Sequence, residues 1–164
     1  MLQGKNRLSF DISTAREFFS KLKQEQQSLK ADLTSSRHAI NAAMTAWHLV
    51  ECVWGLAVKG NPHVQQRIGK HSKNLPTFRK YLLSQCPQLE SMQCICEGAK
   101  HLGTSGSNVK ITSVHSGAFN DGFGKGLDIN RLQIEKEDGS VAYFDNELKE
   151  VVDFWEHFFK VYLV

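Results

Sequence analysis

Apolar residues recur at helical spacing through the first hundred positions, and specific polar residues punctuate them. Phe18, Leu22, Leu29 and Leu33 share one stripe behind Thr14-Ala15-Arg16-Glu17, which has the form of a capping box, so a helix is predicted from about Ser13 to Leu33. Thr34-Ser35-Ser36 offers the next N-cap, ahead of a mostly apolar run from Arg37 to Val58 that Lys59-Gly60-Asn61-Pro62 stops. A helix this apolar belongs at the centre of the fold. Pro62 suits a first helical turn after Asn61 and opens a short basic helix to about His71. Leu75-Pro76 opens another, which ends at Cys86-Pro87. Leu89, Met92, Cys96, Ala99 and Leu102 mark a further helix, closed by Gly103.

Beyond Gly103 the period changes. Thr104 to Asn108 is turn-rich, and Val109 to His115 alternates with period two, as a strand does. After the glycine-rich segment Gly117 to Gly126, the stretches Leu127 to Glu137 and Val141 to Phe144 flank Asp138-Gly139, a strong hairpin signal. Asp145 is the expected cap of a last helix. Its Leu148, Val151, Val152, Trp155, Phe158, Phe159 and Tyr162 form a broad apolar stripe that needs cover from the bundle, the sheet or a second copy. The expected fold is therefore α+β and mostly α: a bundle of four to five helices, a three-stranded antiparallel sheet and a C-terminal helix. With 164 residues and no dividing linker, a single domain is expected, made of a helical bundle (1–103), a hairpin sheet (104–145) and a helix (146–164) packing back.

Length and composition narrow the class. A chain this long buries roughly two thirds of its unfolded surface, enough for a core without disulfide or metal staples. The longest apolar run, around Ala46 to Val58, is broken by His48 and Glu51, and Met1 to Arg7 leads into a mixed segment. Neither a membrane span nor a signal peptide is read from these, and a cytoplasmic location is expected. Of Cys52, Cys86, Cys94 and Cys96, only Cys94 and Cys96 are close, and at i,i+2 on a helix they diverge. With no second pair at zinc spacing they read as buried thiols, and no metal or cofactor is expected.

The net charge of +3 conceals a division. Residues 1–110 hold 15 Lys+Arg against 7 Asp+Glu, whereas residues 111–164 hold 5 against 10. One reading is that the two parts dock and neutralise; the other is a basic face for RNA, a nucleotide or another polyanion. His63, Arg67, Lys70, His71, Lys73, Arg79 and Lys80 make the densest cluster, with Phe78 and Tyr81, the aromatics nearby, reading as core.

Candidate chemistry concentrates on the second helix. At about 100° per residue, Arg37, His38, Asn41, Thr45, His48 and Glu51 fall within an arc of roughly 140°. A solvated face usually carries Lys and Glu. This one carries two His, an Asn and a Thr, groups that bind, bridge or shuttle protons. His48 and Glu51, at i,i+3, could share a hydrogen bond that orients the ring. A carboxylate-bridged metal site would need a second His/Glu pair, which is absent. Lys100 and His101 are the best candidates to complete a polar site from another helix. Gly122-x-Gly124-x-Gly126 lies between strands without the Gly-Lys-Ser/Thr ending of a phosphate loop, and no Ser or Cys nucleophile motif is present.

The chain resembles a family of uncharacterised bacterial proteins. The matching residues are Thr45-Ala46-Trp47-His48-Leu49-Val50-Glu51, Cys86-Pro87 leading to Ala99-Lys100-His101, the Gly-Ala-Phe-x-x-Gly-Phe loop and Asp153-Phe154-Trp155-x-x-Phe158-Phe159. Cys52 departs from the pattern, which has an aromatic there. The resemblance spans about Thr34 to Val164, implies no activity and favours His48, Glu51, Lys100 and His101 as site residues. A looser similarity is to HEPN helical domains, whose Arg-x4-6-His signature Arg67-x3-His71 misses by one residue. The expected function is a small binding or accessory module with a polar pocket around His48 and Glu51, drawing on Arg37, His38, Asn41, Lys100 and His101. The alternatives are an RNA- or nucleotide-acting enzyme with His48 or His101 as general acid/base beside Glu51, and a homo-oligomeric structural protein joined through its aromatic last helix.

Overall fold

Thr14 and Glu17 start the first helix as their spacing predicts. In this computed structural model, which describes residues 12–100, 109–115 and 129–163, α1 spans Ala15–Ala31. The Glu17 N–H donates to the Thr14 hydroxyl at 3.1 Å, and the Thr14 N–H donates to the Glu17 carboxylate at 2.8 Å. Hydrogen bonds from the Ser13 N–H and then from Thr14 hold that carboxyl below its ordinary range.

Helix α2 spans Ser36–Val53, with Ser35 as its N-cap, and widens into a π-helical turn over Trp54–Val58. There the Lys59 N–H reaches the Trp54 carbonyl at 2.8 Å, five residues back instead of four. The predicted single helix to Val58 is thus two kinds of helix in series. Next come α3 (Pro62–Ile68), a 3-10 turn (Gly69–Ser72), α4 (Leu75–Gln85) and α5 (Gln88–Lys100). Asn61 and Asn74 cap α3 and α4 through their side-chain oxygens.

Strands β1 (Val109–His115), β2 (Arg131–Lys136) and β3 (Val141–Tyr143) form an antiparallel sheet in that order, with Thr112 opposite Ile134 and Ile134 opposite Ala142. The β2–β3 hairpin closes on a three-residue loop: the Gly139 N–H donates to the Lys136 carbonyl at 3.0 Å and Gly139 takes φ 80°, where a side chain is strained. Helix α6 spans Phe144–Tyr162. It starts earlier than the expected 146, because Phe144, 1% exposed, is drawn into the core as its first residue. Asp145 is therefore not the cap. It sits in the first turn and pairs with Arg131 at 3.4 Å, where an anion complements the helix N-terminus.

One apolar cluster draws on all six helices and β2. Helix α2 packs between α1 and α5 and also meets α6; its Ala42, Ala43 and Ala46, all at 0% exposure, let the neighbours approach closely. The stripe of α6 is covered from within the chain. Trp155 is wholly buried, Phe159 stacks on Phe19 of α1 at 5.1 Å, and Phe158 meets Phe78 of α4 edge-on at 6.1 Å. The apolar surface on which the homo-oligomer expectation rested is used inside the chain. Leu132 and Ile134, alternate residues of β2, are buried, and the Leu132 N–H donates to the Leu33 carbonyl at 3.0 Å, tying the sheet to the α1–α2 connection. None of the four cysteines is in a disulfide. Among the described residues, no helix is long and apolar enough to cross a membrane. The expected Gly103 cap, the turn at 104–108, the segment Gly117 to Gly126 with Phe119 and Phe123, and the predicted strand start at Leu127 lie outside the described residues.

Candidate functional site

The polar arc of α2 and its solvent face do not coincide. Thr45 is buried and accepts a hydrogen bond from the Lys21 ammonium of α1 at 2.6 Å. Ile40, which the arc excludes, is 37% exposed beside the exposed Arg37 and Asn41. At about 100° per residue, the open face is centred near Met44. Packing by α1 on one side and α5 on the other sets that centre, and residue polarity does not.

The sequence-predicted residues accordingly divide. Arg37 and His38 sit in the first turn, the guanidinium 3.5 Å from His38 Nε2. His48 is about 16 Å further along the helix. It is half-buried against α5, with Nε2 3.8 Å from Cys96 Sγ. Glu51 turns the other way, and its carboxylate pairs with Arg79 of α4. The predicted His48–Glu51 hydrogen bond is replaced by this long-range ion pair. Lys100 ends α5; its side chain, like His101, lies outside the described residues. Burial pushes the Cys52 thiol up, and the adjacent Glu51 adds to the shift. Among the described residues no group of three or more His, Cys, Asp or Glu could hold a metal ion.

A cavity of about 190 Å³ opens between the start of α2, α5 and the sheet, against Ala39, Ile40, Ile95, Leu132 and Phe144. Its described lining includes none of the predicted site residues and no titratable group.

The other distinctive surface is electrostatic. Between Glu51 and Glu90 the chain holds no acidic residue, yet it holds Lys59, Arg67, Lys70, Lys73, Arg79 and Lys80. In α3, burial of Val64 and Ile68 turns His63 and Arg67 outward. Both helices of the stretch begin with a neutral Asn cap and a Pro in the first turn, so no carboxylate offsets the positive end of either. Of the six cations only Arg79 enters an ion pair among the described residues; its guanidinium also lies 5.7 Å from the Trp47 ring centre. The other five are exposed.

Among the described residues, the acidic tail does not neutralise them. Every ion pair among the described residues stays within its own part: Lys21–Glu25 and Arg79–Glu51 in the basic part, and Arg131–Asp145, Lys136–Glu147, Lys149–Asp153 and Lys160–Glu156 in the acidic one. The parts dock, as expected, but through apolar packing and hydrogen bonds such as Arg16 to the Leu163 carbonyl at 3.2 Å and Ser91 to Glu147 at 2.7 Å.

Tyr81 is the residue that sequence reading misplaced. It is half-buried, not core: its ring stacks on His71 at 4.5 Å and 13°, and its hydroxyl lies 3.1 Å from that of Tyr162. Burial and then the Tyr162 contact push the phenol up to about 12. No periodic signal links positions 71 and 81, because the 3-10 turn folds His71 back over α4. The acid-free stretch around them, by contrast, is visible in the sequence. No family model, curated protein or solved structure matches this chain.

Proposed function

We propose that this chain is a binding module for an anionic macromolecule, taken on the exposed cations between the π-helical turn and α4. The observation that carries this reading is the uncompensated charge: Lys59, Arg67, Lys70, Lys73 and Lys80 are exposed and enter no ion pair among the described residues. Solvated cations displace condensed counterions when they meet a phosphate backbone, and that release drives association. Isolated surface cations facing nearby carboxylates would gain little from such a partner. Here the cations have no acidic residue within their own stretch. Fluorescence anisotropy with a labelled oligonucleotide tests it: affinity must fall steeply with salt, and charge-neutral replacement of these residues must remove most of it.

The second reading keeps His48 as a general acid/base, supported by its half-buried position on α2 against α5, beside Cys96. Glu51, engaged by Arg79, is not its orienting group. RNA cleavage that survives unchanged in a His48→Ala, His101→Ala double variant would exclude this reading.

A further inference from the structure

We infer that the anionic partner is a single-stranded nucleic acid, with the His71–Tyr81 ring pair serving as a platform for a base. This rests on the binding reading above and adds the class of partner.

Phosphate contacts alone do not distinguish a single strand from a duplex or from another polyanion. What distinguishes them is an accessible ring face among the cations, because the bases of a duplex already stack on each other whereas those of a single strand have faces to offer. His71 and Tyr81 place two partly exposed rings within this stretch, and because each covers one face of the other, a base would stack on an outer face. They are stacked nearly parallel, 4.5 Å apart, and both keep solvent exposure. Lys70 immediately precedes His71 and Lys80 immediately precedes Tyr81, so each ring has an exposed cation next to it in the chain. Lys73 follows two residues after His71, on the connection to α4.

The pair is also braced. The Tyr81 hydroxyl bonds to that of Tyr162, whose ring packs 4.7 Å from Phe158, itself 1% exposed in the core. A ring fixed in this way loses little freedom when a base stacks on it, which favours binding. Stacking tolerates any base, so the inference is of a single-strand binder without strong sequence preference.

The test uses the full chain with three probes at matched ionic strength: a labelled mixed-sequence strand of about 16 nucleotides, the duplex of that strand, and heparin. Wild-type protein is expected to bind the strand at least several-fold more tightly than the duplex. His71→Ala should weaken strand binding about tenfold while changing duplex and heparin binding little. His71→Phe, which keeps a ring and removes the imidazole, should retain the strand preference. Equal affinity of the wild-type chain for strand and duplex, or a folded His71→Ala variant that binds the strand as the wild type does, would overturn this inference and leave the polyanion reading standing. Failure to bind any of the three at low salt would remove both. Because the strand-to-duplex ratio is read on the wild-type chain, the test does not depend on any variant folding.

Discussion

Arg79 reaches from α4 to the carboxylate of Glu51 on α2 while lying over the Trp47 ring, so one cation of the basic stretch is held by the fold and the remaining five face solvent. Glu51 thereby limits the charge of the surface without belonging to it. Replacing Glu51 with Gln is expected to release the guanidinium and steepen the salt dependence of oligonucleotide binding by about one phosphate contact. The pair is partly exposed on both sides, so the stability loss should stay below about 1 kcal/mol. Anisotropy titrations at several salt concentrations, with urea melts in parallel, measure both effects.

Neutralising Lys59, Arg67, Lys70, Lys73 and Lys80 together with Gln should remove most of the salt-dependent binding. If all five meet phosphates of a single strand, the slope of log K against log salt should flatten by roughly 3.5. All five side chains are exposed, so the melting temperature should barely move. An unchanged slope would place the binding surface elsewhere.

Alkaline stability should report on two acids, the buried Cys86 and the half-buried Tyr81. Burial pushes the Cys86 thiol from 9.0 up to about 11, and it pushes the Tyr81 phenol from 10.0 up to about 12 with the help of Tyr162. In both cases the folded state favours the protonated form. Their contribution is therefore complete below about pH 9 and is lost as pH rises through the window to about 12. Thermal melts between those limits should show a progressive fall, and Cys86→Ala should shift its onset upward. The same burial makes Cys86 a poor nucleophile, so its alkylation near pH 8 should be far slower than that of an unfolded control.

Trp155 is wholly buried, and its indole N–H has no hydrogen-bond partner among the described residues. Its contribution is packing against Phe154, Phe158 and Phe159. Trp155→Ala should cost about 3–5 kcal/mol. Trp155→Phe should cost clearly less, since no hydrogen bond is lost with the indole. Equal losses in chemical denaturation would point to an unrecognised role for the N–H.

Ser91 on α5 and Lys136 on β2 both donate to Glu147 in the first turn of α6, at 2.7 and 3.0 Å. Glu147 is 8% exposed, so each donor offsets the cost of burying a carboxylate. Ser91→Ala should destabilise by about 1–3 kcal/mol. In an Ser91→Ala background, Glu147→Gln should cost less than in the wild type, a non-additivity that a double-mutant cycle measures.

How much of this could be read from the chain depends on the range of the interaction. The capping box at Thr14 and Glu17, the Asn-Pro start of α3 and the Asp138-Gly139 turn are local, and each element begins or turns there. The α6 stripe was legible as buried, although its covering residues were not. Contacts between distant residues left no trace. Glu51 meets a residue 28 positions away, Tyr81 one 81 positions away, and both were misread from their immediate neighbours. The polar arc of α2 failed for a related reason: polarity suggested where water should be, but the positions of α1 and α5 decided it, burying Thr45 and exposing Ile40. Asp145 shows the same competition, with a good capping residue displaced by the pull of Phe144 into the core.

The wide turn at Trp54–Val58 acts on everything that follows it. A π-helical turn holds about one residue more than the α-helical turn it replaces, so the chain beyond it keeps the facing it would have after an α-helix one residue shorter. Val58, the last residue of the turn, is at 0% exposure, and Lys59-Gly60 leads from it towards α3. The wide turn thus absorbs one residue of helical phase ahead of α3, the 3-10 turn and α4. Deleting one residue within it should let it close as a plain α-helical turn with the cations and both stacked rings still in alignment, whereas deleting one from the regular part of α2 would rotate them together by about 100°.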